Sequence, residues 1–145
     1  MTRRDARTPD LFDAPKPAPE VACTMDYRAT VAHVLAEMLR GAPGDRYDVA
    51  AQVSRLTGKD VSKYMLDAYT SEAREEFNLP AWLIAPLEVA CRSHALTHWL
   101  AGIRGGRLLV GEEALVHDLA RWEQKRDEAD EYVRALKQRL RGRHE

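Results

Sequence analysis

Cys91, His94 and His98 stand three and four residues apart, so on one unbroken helix they would share a face. A thiolate and two imidazoles are zinc-type ligands. No fourth ligand lies near them in sequence, and Ser93 reads as a helix start, which would split the shared face. The expectation is no metal site, but a buried thiol beside two surface histidines. His33, His117 and His144 are isolated. The chain has no Gly-x-Gly-x-x-Gly, no phosphate loop ending in Gly-Lys-Ser/Thr, no Gly-x-Ser-x-Gly and no His-Glu-x-x-His. No catalytic constellation and no cofactor are expected.

The other chemistry is binding. Val49-Ala-Ala-Gln-Val-Ser-Arg-Leu-Thr-Gly58, followed by Val61-Ser62 and an amphipathic stretch, has the make-up of a helix-turn-helix. Ala50 and Ala51 would let two helices cross closely, and Gly58 would reverse the chain. Lys63, Tyr64, Asp67, Thr70 and Ser71 form the outward face of the second helix. Lys59, Ser62 and Lys63 stand at its start, where positive charge and backbone N–H groups favour phosphate. Farther on, the glycines of Gly102-Ile-Arg-Gly-Gly-Arg107 would let backbone amides approach a phosphate while Arg104 and Arg107 supply charge. The same segment also reads as a simple helix stop with solvated arginines. Residues 46–77 carry five basic and six acidic side chains, and the turn at 57–61 is longer than three residues. Physics alone therefore leaves a helix-turn-helix and an ordinary helical bundle both open.

The elements that would position these residues are helical. Residues 25–40 place Tyr27, Val31, Val34, Leu35, Met38 and Leu39 at helical spacing, with Gly41 and Pro43 as the stop. Asp45 can cap a second helix, 47–56, that buries Val49, Ala50, Val53 and Leu56 and ends at Gly58. Ser62 caps a third, 63–71, with Met65, Leu66, Ala68 and Tyr69 inward. Residues 72–79 are a polar connector. Pro80 opens a helix to residue 92, which Pro86 either breaks or delays to Ala85. A further helix, 94–103, would bury Leu96, Trp99, Leu100 and Ile103. Residues 108–110 read as a short strand or a packed linker. The class expected is all-α: a small helical bundle over residues 25–110.

Residues 112–141 carry the sharpest pattern. Leu115, Leu119, Trp122, Arg126, Ala129, Val133, Leu136 and Leu140 alternate spacings of four and three. That 3.5-residue period is the seam of a left-handed coiled coil, and it predicts an oligomerisation helix. The competing reading is one helix folded back on its own domain. Arg126 is the single charged seam position, a feature that weakens assembly but fixes register.

The 145 residues are 45% hydrophobic and 31% charged, and 22 Lys+Arg against 23 Asp+Glu give a net charge of -1. Such a balance excludes a globally basic nucleic-acid coat and an acidic solvating chain. No apolar run approaches the roughly 20 residues of a membrane span. Residues 1–24 read as a flexible, Pro-rich leader without a secretory core, so the compartment expected is the cytoplasm. Cys23 and Cys91 read as free thiols. Within the leader, Asp10-Leu11-Phe12 matches part of the peptides that dock on bacterial sliding clamps, while Thr8 and Pro9 depart from them. A clamp contact through Leu11 and Phe12 and no contact at all are both open.

Several ordered blocks carry a family resemblance: Arg46-Tyr-Asp-Val-Ala-Ala, Leu56-Thr-Gly-Lys-Asp-Val-Ser, Met65-Leu-Asp-Ala-Tyr-Thr-Ser-Glu-Ala, Ala95-Leu-Thr-His-Trp-Leu and Arg104-Gly-Gly-Arg-Leu-Leu-Val-Gly-Glu-Glu-Ala. Over roughly residues 46–115 the chain resembles YmfL-type regulatory proteins of prophages and, more distantly, CII-like phage regulators. The resemblance implies a lambda-repressor-like helix-turn-helix and an oligomeric regulator of phage transcription that binds double-stranded DNA. Recognition helices in a two-fold assembly would stand about one DNA turn, roughly 34 Å, apart. The alternative is a non-enzymatic adaptor that engages phage replication or transposition machinery through its coiled coil and its Leu11-Phe12 leader.

Overall fold

The computed structural model describes residues 14–142. Among them are six α-helices and no strand: α1 (Arg28–Arg40), α2 (Arg46–Thr57), α3 (Lys63–Tyr69), α4 (Ile84–Cys91), α5 (Ala95–Ile103) and α6 (Glu112–Arg141). The fold is all-α. Leu11 and Phe12 lie outside the described residues. The described residues divide after Leu108 into two units.

In the first unit, α2 packs on α4 and α3, while α1 packs on α5 and α4. Leu35, Val53, Leu66, Leu83 and Leu87 are its fully buried centre. The capping chemistry explains the helix limits. The Asp45 carboxylate accepts from the N–H of Tyr47 (2.8 Å) and Asp48 (2.9 Å), and Asp48 Oδ2 accepts from Asp45 N–H, closing a reciprocal cap. Gly58 ends α2 in the left-handed conformation (φ 65°), where a Cβ would be disfavoured. Ser62 Oγ accepts from Met65 N–H at the start of α3.

The turn between α2 and α3 is ordered by Ser54. Its hydroxyl donates to Val61 O (3.0 Å) and accepts from Val61 N–H (2.9 Å), which seats Val61 in the core. Leu56, which its spacing assigns to the core, is instead 49% exposed. It lies in the last turn of α2, and Val61 returns to the core in the segment that follows. Helix α3 ends at Tyr69 rather than residue 71: Ser71 N–H bonds Ala68 O, only three residues back (3.2 Å), so the chain tightens out of the α register.

Pro86 does not break α4. A 3-10 turn, Ala81–Leu83, leads into the helix and puts Pro86 third in it, where no intrahelical donor is missing. Arg92 then takes a left-handed conformation (φ 52°) and closes α4. Glu88, a buried carboxylate of α4, accepts from Thr97 N–H (2.7 Å) and Thr97 Oγ1 (2.8 Å), so it caps α5 across the corner. Ser93 Oγ accepts from Ala95 N–H, but Ser93 stands one residue before the His94 N-cap, so the helix starts at Ala95 rather than at His94. Of the α5 residues expected inside, Leu96 is buried, Trp99 meets Tyr27 edge-on at 5.4 Å, and Leu100 is exposed. The second half of α5 is covered on one side only.

Residues 14–24 contain no helix, yet part of this segment is seated: Ala18 N–H donates to Ile103 O (2.8 Å), and Pro17 bridges Arg104. Residues 108–110 are neither strand nor helix.

Helix α6, taken by itself, has 30 residues and none of them buried. At 1.5 Å per residue it is about 45 Å long. Leu115, Leu119, Trp122, Val133, Leu136 and Leu140 are all exposed. No helix among the described residues is long and apolar enough to cross a membrane.

Candidate nucleic-acid interface

The α2–α3 pair brings together most of the residues expected to bind. Tyr64, in the first turn of α3, is 72% exposed, and Tyr47, in the first turn of α2, is 61% exposed. The Lys63 ammonium lies 5.7 Å from the Tyr64 ring and 5.9 Å from the Tyr47 ring. Two exposed aromatic faces thus flank one cation. Lys59, in the turn, sits over the half-exposed Trp82 ring at 4.6 Å.

Asp67 and Thr70 are engaged within the domain. Arg46, opening α2, reaches Asp67 Oδ1 (2.6 Å) and Thr70 Oγ1 (3.0 Å), while Lys63 Nζ meets Asp67 Oδ2 (2.5 Å). The Lys63 hydrogen bond, with Arg46 behind it, holds the Asp67 carboxyl below the usual aspartate range, and the same bond raises Lys63. Arg46, Lys63 and Asp67 together carry one net positive charge. A carboxylate that would repel phosphate is therefore offset twice over. Sequence reasoning missed Arg46, Tyr47 and Trp82. Arg46 lies 21 residues from Asp67, and only the crossing of α2 and α3 reveals the pairing.

Arg104 and Arg107 belong to a different part of the unit, the end of α5, and both are exposed. The amides around them serve α5 itself. Gly105 N–H donates to Gly102 O (3.0 Å) and Gly106 N–H to Ala101 O (2.8 Å). Pro17 stands against Gly105, where an added Cβ would meet its nitrogen at 2.6 Å. Any anion contact there falls to the guanidinium groups, because these two amides are already committed.

Cys91 is buried at the end of α4, whereas His94 and His98 are exposed beyond the Arg92 corner. Among the described residues no group of three His, Cys, Asp or Glu side chains could hold a metal ion. Burial pushes the Cys91 thiol up to about 11, so little thiolate forms at neutral pH. Cys23 is exposed. An aromatic disulfide reagent at pH 8 is expected to titrate one thiol in the native protein and the second only in denaturant. Two thiols reacting at one rate would contradict the burial of Cys91.

No family profile, no curated protein and no solved structure matches this chain.

Proposed function

We propose that the protein is a DNA-binding transcriptional regulator of phage or prophage origin that acts as an oligomer. The observation that carries this reading is the pair of exposed tyrosines, Tyr47 and Tyr64, that flank the partly buried, Asp67-paired Lys63 at the start of α3. A helix-turn-helix places the first turn of its second helix against base edges, and this cluster supplies a cation and two phenol hydroxyls there. Lys59 adds phosphate contact from the turn, and Ser62 holds the first turn in place. Asp67 and Thr70 act through Arg46, orienting a second cation. The blocks that resemble YmfL-type regulators support the same reading, and the exposed seam of α6 supports self-association.

The test begins with DNA enriched by the protein from a random pool at physiological salt. Replacing Lys63 and Tyr64 together by alanine touches no buried residue, so the fold is expected to persist. At about 1–3 kcal/mol per specific contact, affinity for the enriched sequence should fall at least about tenfold. Removing one cation from the interface should also flatten the salt dependence. Unchanged affinity and salt slope would sink the assignment of α3 as the recognition helix.

The alternative, a non-enzymatic adaptor of phage replication or transposition machinery, draws on the exposed α6 seam and needs no DNA. A folded, oligomeric protein that enriches no sequence would favour the adaptor.

A further inference from the structure

The seam of α6 is self-complementary in one direction only. We infer that α6 pairs with α6 of a second copy, and that the two helices run antiparallel. This rests on the proposed self-association through α6 and adds its polarity.

The seam alternates two kinds of position. Leu115, Trp122, Ala129 and Leu136 make one set; Leu119, Arg126, Val133 and Leu140 make the other. In a parallel pair each residue meets its own copy. Two Trp122 rings would then fill one layer, two Arg126 guanidiniums the next and two Ala129 methyls the third. On the flanks of such a pair Lys125 would be matched by the partner's Asp130, whereas Asp118 would face the partner's Glu123. A layer too thick, a layer of like charge and a layer too thin would follow one another.

Reversing one helix about the midpoint between residues 127 and 128 pairs the two sets with each other. Leu115 then meets the partner's Leu140, and Leu119 meets the partner's Leu136. Trp122 lies over the partner's Val133, large against small. Arg126 lies over the partner's Ala129, whose short side chain leaves room for the guanidinium stem. All eight seam positions are used, and the layers even out.

The flanking charges agree. In the reversed pair Arg126 stands beside the partner's Asp130, Asp118 beside the partner's Arg139, and Lys125 beside the partner's Tyr132. Glu123 faces the partner's Asp130 and is the one like-charged contact, with Arg126 next to it. In the single helix Arg126 bonds its neighbour Asp127 (2.9 Å), an exposed pair that a partner's carboxylate can replace. Shifting the reversed pair by one heptad would set Trp122 against the partner's Arg126 and strand two seam positions at each end.

The geometry has a consequence for DNA. The two α6 helices would begin at opposite ends of the coil, about 45 Å apart, against the roughly 34 Å of one DNA turn.

Disulfide trapping in the full-length chain tests the polarity. In a Cys23→Ser background, with Cys91 buried, Leu115→Cys and Leu140→Cys are made as separate proteins, mixed under reductant to equilibrate, and oxidised. The mixed disulfide is expected to exceed either self-disulfide at least tenfold, at the sedimentation mass of two chains. Self-disulfides of each variant in preference to the mixed product would overturn the antiparallel arrangement and leave self-association standing. A trimeric mass would overturn it too. A monomeric mass without disulfide would remove both the polarity and the self-association beneath it, without touching DNA binding by the first unit.

Discussion

Leu119→Asp combined with Leu136→Asp is expected to reduce the sedimentation mass from two chains to one, from about 33 kDa (two chains of 16.4 kDa) to 16.4 kDa. The two leucines sit on opposite sides of the Arg126 layer, so no continuous apolar stretch longer than two seam positions survives. In the antiparallel pair they face each other, and four carboxylates would be gathered at two layers without partners. Burying an unpaired charge costs several kcal/mol, more than the surrounding layers can return. Helix α6 would also lose helicity, because a free helix with this much charge depends on packing for most of its stability. The buried core of the first unit is made of its own residues, and its thermal transition should persist. A mass still corresponding to two chains would remove the seam from the account of assembly.

The second large effect concerns α3. Leu66 is its fully buried anchor, in a helix of only seven residues. Leu66→Ala is expected to cost about 3–5 kcal/mol, the range for deleting a leucine side chain where the surroundings cannot collapse. A unit of this size has roughly 5–10 kcal/mol in all, so the urea midpoint should fall by about half. Leu56→Ala is the informative partner. Helical spacing puts both leucines inward, whereas Leu56 is half exposed and should cost less than about 1 kcal/mol. Equal losses would mean that Leu56 is buried and that the packing of α2 against α4 is wrong.

These two leucines mark how far the sequence could be read. Local chemistry was legible. Asp45, Gly58 and Ser62 fix helix ends through bonds that span two to four residues, and each acts where its type predicts. Pro86 fitted the first turn of a helix, as one of its two readings required. The α6 periodicity was visible because 30 residues repeat one pattern without interruption. What spacing cannot supply is how far a neighbour reaches along a face, so Leu56 and Leu100 were assigned to the core and found at its edge. Nor does it supply pairings across the fold. Asp67 and Thr70 read as an outward polar face, yet Arg46 claims both from another helix. The glycines at 105 and 106 promised open amides, but closing α5 consumed them.

Glu88 shows what such a cross-fold pairing does to motion. Its backbone carbonyl accepts Ser93 N–H (3.0 Å) at the end of α4, while its side chain holds the first turn of α5. Between them Arg92 occupies a left-handed conformation that costs an L-residue roughly 1–2 kcal/mol, offset by the Arg92 N–H to Val89 O (3.2 Å) and Ser93 N–H to Glu88 O bonds that it allows. Fraying of the last turn of α4 would withdraw the acceptors from Thr97, and unwinding of α5 would strand a carboxylate among apolar side chains. The two helix ends therefore open together or stay shut, so hydrogen exchange across this corner should report a single cooperative unit rather than two independent termini.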